Sequence, residues 1–141
     1  MELATNEYAP DRLNGFVQAD ITAVPFPSRH FAGVLTLGFM HRVPREIRVA
    51  ALGEIARVCS GDAIISFSLG SAAQRMRHIS LRLLRPEHVA APALISREEA
   101  EREIRAAGFS IVRRVPVAPL LSAESLFLVR APARSAQSPD R

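Results

Sequence analysis

The sequence predicts an α/β fold in which a mostly parallel sheet is flanked by helices and ends in an antiparallel pair of strands. Three observations support this prediction. Residues 31–69 read as strand, amphipathic helix and strand with short turns, a unit whose two strands lie parallel. A capped helix begins near residue 96. Two apolar strands, at residues 109–117 and 125–130, then follow with a connection so short that they must be antiparallel.

Length and composition favour one domain. The chain has 141 residues, of which 48% are hydrophobic, and a domain of this size buries roughly 68–70% of its unfolded surface. No run approaches the ~18 apolar residues that a membrane helix needs, so no transmembrane segment is expected. The polar start and the single cysteine, Cys59, indicate a soluble protein of a reducing compartment, the cytoplasm.

The charge pattern argues against nucleic-acid binding. The net charge is +4, and all 18 basic residues are arginines spread from Arg12 to Arg141 among acidic residues. There is no tryptophan and one tyrosine, so a base-stacking platform is not expected. No metal-binding spacing is found either, and we expect no metal site.

The first two strands flank an acidic turn. Residues 16–19 predict a short strand that ends at Asp20, followed by a loop containing Pro25 and Pro27. Residues 31–39 are apolar on both alternating faces, which predicts a central parallel strand covered on both sides.

A helix is predicted from Pro44, because proline suits the first turn of a helix. Ser60-Gly61-Asp62 is expected to end it, and residues 63–69 to form the next buried strand. The predicted buried face consists of Ile47, Ala51, Leu52, Ile55 and Val58, and the residues expected on other faces are Arg45, Arg48, Glu54 and Arg57.

The later part of the chain contains two further helix patterns. Residues 71–85 place four basic residues opposite an apolar face, which fits either a solvated surface or a surface for an anionic substrate or lipid headgroup. Ser96 begins the other helix in a capping box with Glu99, and Gly108 ends it. We expect residues 70–95 to form a lid or substrate segment and residues 132–141 a disordered tail.

The order of the sequence motifs in this chain resembles that of the class I S-adenosylmethionine (SAM)-dependent methyltransferases, specifically the small-molecule branch called type 11. The motifs that carry the resemblance are Asp20, Val-Pro-Phe at residues 24–26, Phe-Ala-Gly-Val at 31–34, Glu-Ile-Ala-Arg-Val at 54–58 and Ala-Gly-Phe at 107–109. The resemblance implies a three-layer, Rossmann-like methyltransferase fold over residues 1–131, truncated at its beginning. It also implies SAM as the cofactor and a small-molecule methyl acceptor.

The resemblance assigns five residues to SAM. Asp20 would accept a hydrogen bond from the adenine amino group, and Ile21 would lie beside the ring. Thr36, Leu37 and Gly38 would end the next strand beneath the methionine portion. Taken alone, Asp20 is as readily a turn-forming residue, and Gly38 a packing residue.

The same resemblance suggests one candidate catalytic residue. His41 follows the strand end and has a side chain suited to proton transfer near neutral pH, so it is a candidate general base or substrate-orienting group. A lone histidine is more often structural, and Arg42 is the rival for the aligned position. Members of this branch often act by holding the nucleophile near the methyl group, without a base.

Several family features have no counterpart before Asp20: the first strand, the glycine-rich loop and the acidic residue that binds the ribose. The sequence therefore leaves three hypotheses open. In the first, the chain is part of a small-molecule methyltransferase. In the second, it is a non-catalytic remnant that binds a second copy or a complementing chain at an open sheet edge. In the third, it is an unrelated α/β module that uses residues 75–85 on anionic surfaces.

Overall fold

The computed structural model describes residues 15–70, 95–117 and 123–132. Within these ranges the chain forms four strands and two helices, in the order β1 (Phe31–Thr36), α1 (Arg45–Val58), β2 (Cys59–Ser68), α2 (Arg97–Ala106), β3 (Ser110–Pro116) and β4 (Glu124–Arg130). The predicted lid, the arginine-faced helix and the predicted tail fall almost wholly outside the described residues. Leu69 and Ile95, which lie on either side of residues 70–94, form a parallel bridge.

The sheet has the strand order β1-β2-β4-β3. β1 and β2 are parallel, as the strand, helix and strand pattern predicts, with Leu35 opposite Ile64. β4 is antiparallel to both of its neighbours, so the predicted antiparallel pair at the end of the chain is confirmed. The last strand in sequence therefore lies inside the sheet, between β2 and β3.

The core lies between the sheet and the two helices. Phe67 of β2 and Phe127 of β4 are fully buried and pack edge to face, with ring centroids 5.5 Å apart. The helices contribute Leu52 and Ile55 from α1 and Ile104 from α2 to the same cluster. Leu52 and Ile55 were expected in the core from their helical spacing, and Phe67 lies in a strand that was expected to be buried.

The buried face of α1 differs from the prediction at Ile47, Arg48 and Ala56, and of these Ala56 is buried without having been assigned to that face. Ile47 is 40% exposed, whereas Arg48 is 3% exposed. The reason is that α2 packs beside this turn and presents Glu99 and Glu103, both of which accept hydrogen bonds from the Arg48 guanidinium. Apolar periodicity cannot identify a position whose burial depends on acids from another helix.

The end of α1 was also wrongly predicted. The helix ends at Val58, and Ser60-Gly61-Asp62 belongs to β2 and not to a turn. A Cβ atom at Gly61 would overlap the backbone carbonyl oxygen of Ala32, so the close pairing of β1 and β2 requires glycine here.

Two predictions about the first strands were wrong. Residues 16–19 form no strand, and Phe16 and Val17 are 39% and 60% exposed. β1 is not covered on both faces, since Leu35 is 63% exposed and β1 pairs with β2 alone among the described strands. Both differences have one cause: within the described residues, no strand lies beside the outer edge of β1.

The cap of α2 forms as predicted on one side. Ser96 Oγ accepts a hydrogen bond from Glu99 N at 3.1 Å, and Gly108 adopts a left-handed φ of +92° at the other end. The Glu99 carboxylate, predicted to complete the capping box, instead accepts a hydrogen bond from Arg48.

Candidate functional site

Asp20 lies in a tight turn before β1. Its Oδ1 accepts hydrogen bonds from both Thr22 N and Thr22 Oγ1 at 2.8 Å, and its carbonyl accepts one from Ala23 N at 3.0 Å. These bonds, led by that from the Thr22 amide, hold the pKa of the Asp20 carboxyl below its ordinary value of 3.8. The exposed Asp20 side chain is therefore an ionised acceptor at neutral pH. Both of its bonds within the described residues use the same oxygen.

The loop after this turn is attached to the last turn of α1. Glu54 Oε2 accepts a hydrogen bond from Val24 N at 3.0 Å. Arg57 donates to the carbonyl of Val24 at 3.0 Å and to that of Phe26 at 2.8 Å. Glu54 and Arg57 also bind each other, at 2.7 and 2.8 Å, and this pairing lowers the pKa of the Glu54 carboxyl. We call Glu54 and Arg57 the loop clamp.

A cleft of about 180 Å³ opens between the loop, β1 and α1. Two of the predicted cofactor residues, Ile21 and Thr36, lie in its wall, and Asp20 immediately precedes Ile21. An apolar cleft suits a flat heteroaromatic ring, and the ionised carboxylate of the residue next to Ile21 can accept a hydrogen bond from an amino group on such a ring. Its other lining residues are Val24, Phe26, Phe31, Val34, Leu35, Ile55 and Val58.

The end of β1 is held by a single buried hydroxyl. Gly38 N donates a hydrogen bond to Ser66 Oγ at 2.8 Å, and Ser66 is fully buried in β2. Gly38 has a φ of +68°, while a Cβ atom at this position would meet nothing within 4 Å. The glycine is thus required by the left-handed backbone and not by close packing. Leu37, next to it, is 55% exposed, and neither residue lines the cleft.

His41 lies in the turn that follows, where Arg42 N donates to the carbonyl of Phe39 at 2.9 Å. The His41 ring is partly buried, and its Nδ1 is buried with no hydrogen-bond partner among the described residues. Arg42 is exposed. A buried nitrogen without a partner is an available donor or acceptor for a bound molecule, so the role of His41 stays a prediction.

The structure thus places Ile21 and Thr36 in one cleft, with Asp20 next to Ile21 in the chain, and puts Gly38 and His41 beyond the end of β1. From the sequence, neither residue of the loop clamp was predicted to belong to the site. The Glu-x-x-Arg spacing was a signal for it, because residues three apart share one face of a helix. The part of the chain that the structure describes contains no cluster of acidic, histidine or cysteine residues suited to a metal ion. It also contains no helix long and apolar enough to cross a membrane.

Comparison with known proteins identifies the fold. Neither a protein-family model nor a curated protein sequence matches the chain. Solved structures do match. The Synechocystis magnesium protoporphyrin IX methyltransferase, with bound S-adenosylhomocysteine (SAH), aligns over 92% of this chain with a TM-score of 0.70 and 16% identity. The Burkholderia thailandensis 1,6-didemethyltoxoflavin-N1-methyltransferase, bound to its substrate and SAH, aligns over 84% with a TM-score of 0.60 and 19% identity.

A third match comes from a Haloferax volcanii complex that contains the Trm112 methyltransferase activator, with a TM-score of 0.59, 15% identity and 82% of this chain aligned. The alignments cover 57%, 51% and 60% of the three matched chains, so this chain spans somewhat more than half of their length. The chain therefore has the fold of the class I SAM-dependent methyltransferases.

Proposed function

We propose that this chain supplies the adenine side of a SAM-dependent methyltransferase that acts on a small molecule. The observation that carries the proposal is the apolar cleft lined by Ile21 and Thr36, with an ionised carboxylate on Asp20, the residue that directly precedes Ile21. The Synechocystis and Burkholderia structures, which share the fold, both contain SAH and come from enzymes with small-molecule substrates. The single cysteine of this chain, Cys59, is a buried free thiol, which is in keeping with a cytoplasmic location.

The assigned residues have distinct tasks. The free oxygen of the Asp20 carboxylate accepts a hydrogen bond from the adenine amino group, while Ile21 packs against the ring. Thr36, Leu37 and Gly38 lie along the path from the cleft to the end of β1, where the methionine portion would lie. SAM supplies an activated methyl group when it is bound.

The acceptor is expected near His41, whose buried Nδ1 can exchange a hydrogen bond with a bound molecule. In this role His41 orients the acceptor's nucleophilic atom or takes its proton. Holding the nucleophile against the methyl group accounts for most of the rate gain in such a site, because it removes the entropic cost of bringing the two together.

Calorimetric titration of the full chain with SAH tests the proposal directly. We expect heat of binding at micromolar to millimolar ligand, with adenosine competing for the same site because the adenine side carries the contacts. Inorganic triphosphate, which lacks adenine, serves as the control for nonspecific binding of an anion to a chain of net charge +4. Absence of heat at millimolar SAH would overturn cofactor binding by this chain alone.

A second candidate function, a partner-binding subunit, is favoured by the contrast between the two sheet edges. β3 carries Arg113, Arg114 and Pro116, residues that discourage the addition of another strand. β1 carries no charge and exposes Leu35. Because β1 carries no charged side chain, two copies of this chain, each of net charge +4, can approach along this edge without like-charge repulsion between the paired strands. The occupant we propose is the β1 edge of a second copy.

A further inference from the structure

The loop clamp binds the backbone of the loop and not its side chains. Glu54 accepts from Val24 N, and Arg57 donates to the carbonyls of Val24 and Phe26. Both clamp residues lie about thirty positions later in the chain than the loop. A backbone donor and two backbone acceptors are thus satisfied in a segment that has no strand to pair with among the described residues. The contacts fix the path of the loop whatever side chains it carries.

The far side of the loop is held by an aromatic cluster. The Phe26 ring stacks on His30, with centroids 5.3 Å apart, and meets Phe31 edge to face at 4.9 Å. Phe31 begins β1, so the cluster joins the loop to the sheet. The loop is consequently fixed to the helix by the loop clamp and to the strand by Phe26.

The turn at Asp20 depends on this anchoring. Ala23 N bonds back to the Asp20 carbonyl, which makes residues 20–23 one hydrogen-bonded turn, and Val24 follows directly. Ile21, inside the turn, and Val24, inside the loop, both line the cleft. Any movement of Val24 away from α1 therefore moves the wall of the cleft and pulls on the Asp20 turn that directly precedes Val24.

We propose that Glu54 and Arg57 are positioning residues for the cofactor-binding turn, setting the place of Asp20 and Ile21 relative to β1. This inference rests on the proposed function for the identity of the ligand, and on the hydrogen bonds alone for the clamp. The simpler account is an ordinary ion pair between neighbouring turns of one helix, which would stabilise α1 and leave the turn unaffected.

A charge exchange separates the two accounts. In the double variant Glu54→Arg/Arg57→Glu the helix keeps an ion pair. Val24 N then faces a cation, and the two loop carbonyls face a carboxylate, so the loop contacts cannot re-form. The matched control is Arg97→Glu/Glu101→Arg, which exchanges another intrahelical pair, one that joins Arg97 Nε and Glu101 Oε1 at 2.7 Å on α2 without touching the loop.

Two measurements on the full chain decide the question: amide hydrogen exchange of residues 20–26 and SAH affinity by calorimetry. Single variants Arg57→Met and Glu54→Gln are measured beside the double variants. We expect faster exchange confined to residues 20–26 and about tenfold weaker SAH binding, the effect of losing roughly one hydrogen bond to a charged group. The α2 control is expected to match the wild type in both.

If the charge exchange restores wild-type protection of residues 20–26, the pair acts only within the helix and the inference is overturned. If the wild-type chain binds no SAH, the proposed function fails for this chain, and hydrogen exchange still decides whether the clamp positions the turn. Loss of protection throughout α1 in the single variants would likewise count against a positioning role.

Discussion

Arg48 on α1 and Glu103 on α2 form an ion pair that is removed from solvent. Arg48 Nε donates to Glu103 Oε2 at 2.6 Å and Nη2 to Oε1 at 2.9 Å, with the two residues 3% and 4% exposed. Glu99 and the exposed Arg45 complete a cluster of two positive and two negative charges. This pairing with Glu103 raises the pKa of Arg48, which favours the charged guanidinium.

Replacing Glu103 with alanine is expected to destabilise the fold by about 3–5 kcal/mol, because it leaves a buried cation without its principal partner. Chemical unfolding followed by circular dichroism measures this loss. Glu101→Ala, on the same helix, removes two exposed pairs with Arg97 and Arg105 and should cost less than about 1 kcal/mol. Equal losses in the two variants would show that the buried pair contributes no more than a surface pair.

Asp20 offers a test that separates the turn from the ligand. Asp20→Asn keeps an oxygen that accepts from Thr22 N, but it replaces the second carboxylate oxygen with an amino group that cannot accept from adenine. We expect Asp20→Ala and Asp20→Asn both to weaken SAH binding by about tenfold or more, as loss of a charged acceptor would. Amide chemical shifts of residues 20–23 should be preserved in the asparagine variant alone. Wild-type affinity in that variant would refute the adenine assignment.

Ser66→Ala should affect both stability and ligand binding. It leaves Gly38 N–H without its partner at the end of β1, at a cost of about 1–3 kcal/mol. Ser60→Ala is the matched control, since Ser60 Oγ donates to the Phe31 carbonyl at 2.9 Å and joins the same two strands at their opposite end. We expect weaker SAH binding from the first variant and unchanged affinity from the second. Identical affinities would separate Gly38 from the cofactor path.

The loop clamp should make stability depend on pH at acidic values. Arg57 lowers the pKa of Glu54 in the folded chain below its ordinary value of 4.5. The stabilisation is therefore complete above about pH 4.5 and is lost as the pH falls through the depressed folded value. The difference in unfolding free energy between the wild type and Glu54→Gln should be constant from pH 7 to about pH 5 and shrink below that. A difference that grows on acidification would contradict the pairing.

The β1 edge is tested by the state of association. If two copies pair there, sedimentation velocity should show dimers that grow with concentration in the wild type, and Leu35→Lys should shift the chain to monomers. Val115→Lys places the same charge on the opposite edge, at a position 42% exposed, and should leave the dimer intact. A wild type that stays monomeric throughout the micromolar range would end the proposal of a second copy.

Much of this fold could be predicted from local sequence signals. The proline before Arg45, the serine cap at Ser96 and the left-handed Gly108 each act within a few residues, and the structure places a helix boundary at each. The order of apolar segments was sufficient for most of β2 and for β4, because their alternating residues face the core. It was also sufficient for β3, although no residue of β3 is fully buried.

The errors arose where a residue's environment is set by distant parts of the chain. Arg48 is buried by acids more than fifty positions away. Leu35 looks like a central-strand residue, and is exposed because no described strand lies outside β1. Within the candidate site, Asp20 and Ile21 were identifiable from the family resemblance. The partners of Val24 were not, since a hydrogen bond to backbone leaves no trace in the sequence of the loop.

The position of β4 has a consequence for synthesis on the ribosome. β4 is the last strand to emerge, yet it lies between β2 and β3, so β3 gains its sheet neighbour only when residues near 130 have left the exit tunnel. Until then, Phe67 lacks the ring of Phe127 against which it packs, and one edge of β2 stays unpaired. The nascent chain therefore leaves this edge of β2 unpaired from the synthesis of residue 68 until β4 emerges, the interval in which a chaperone would have most to protect.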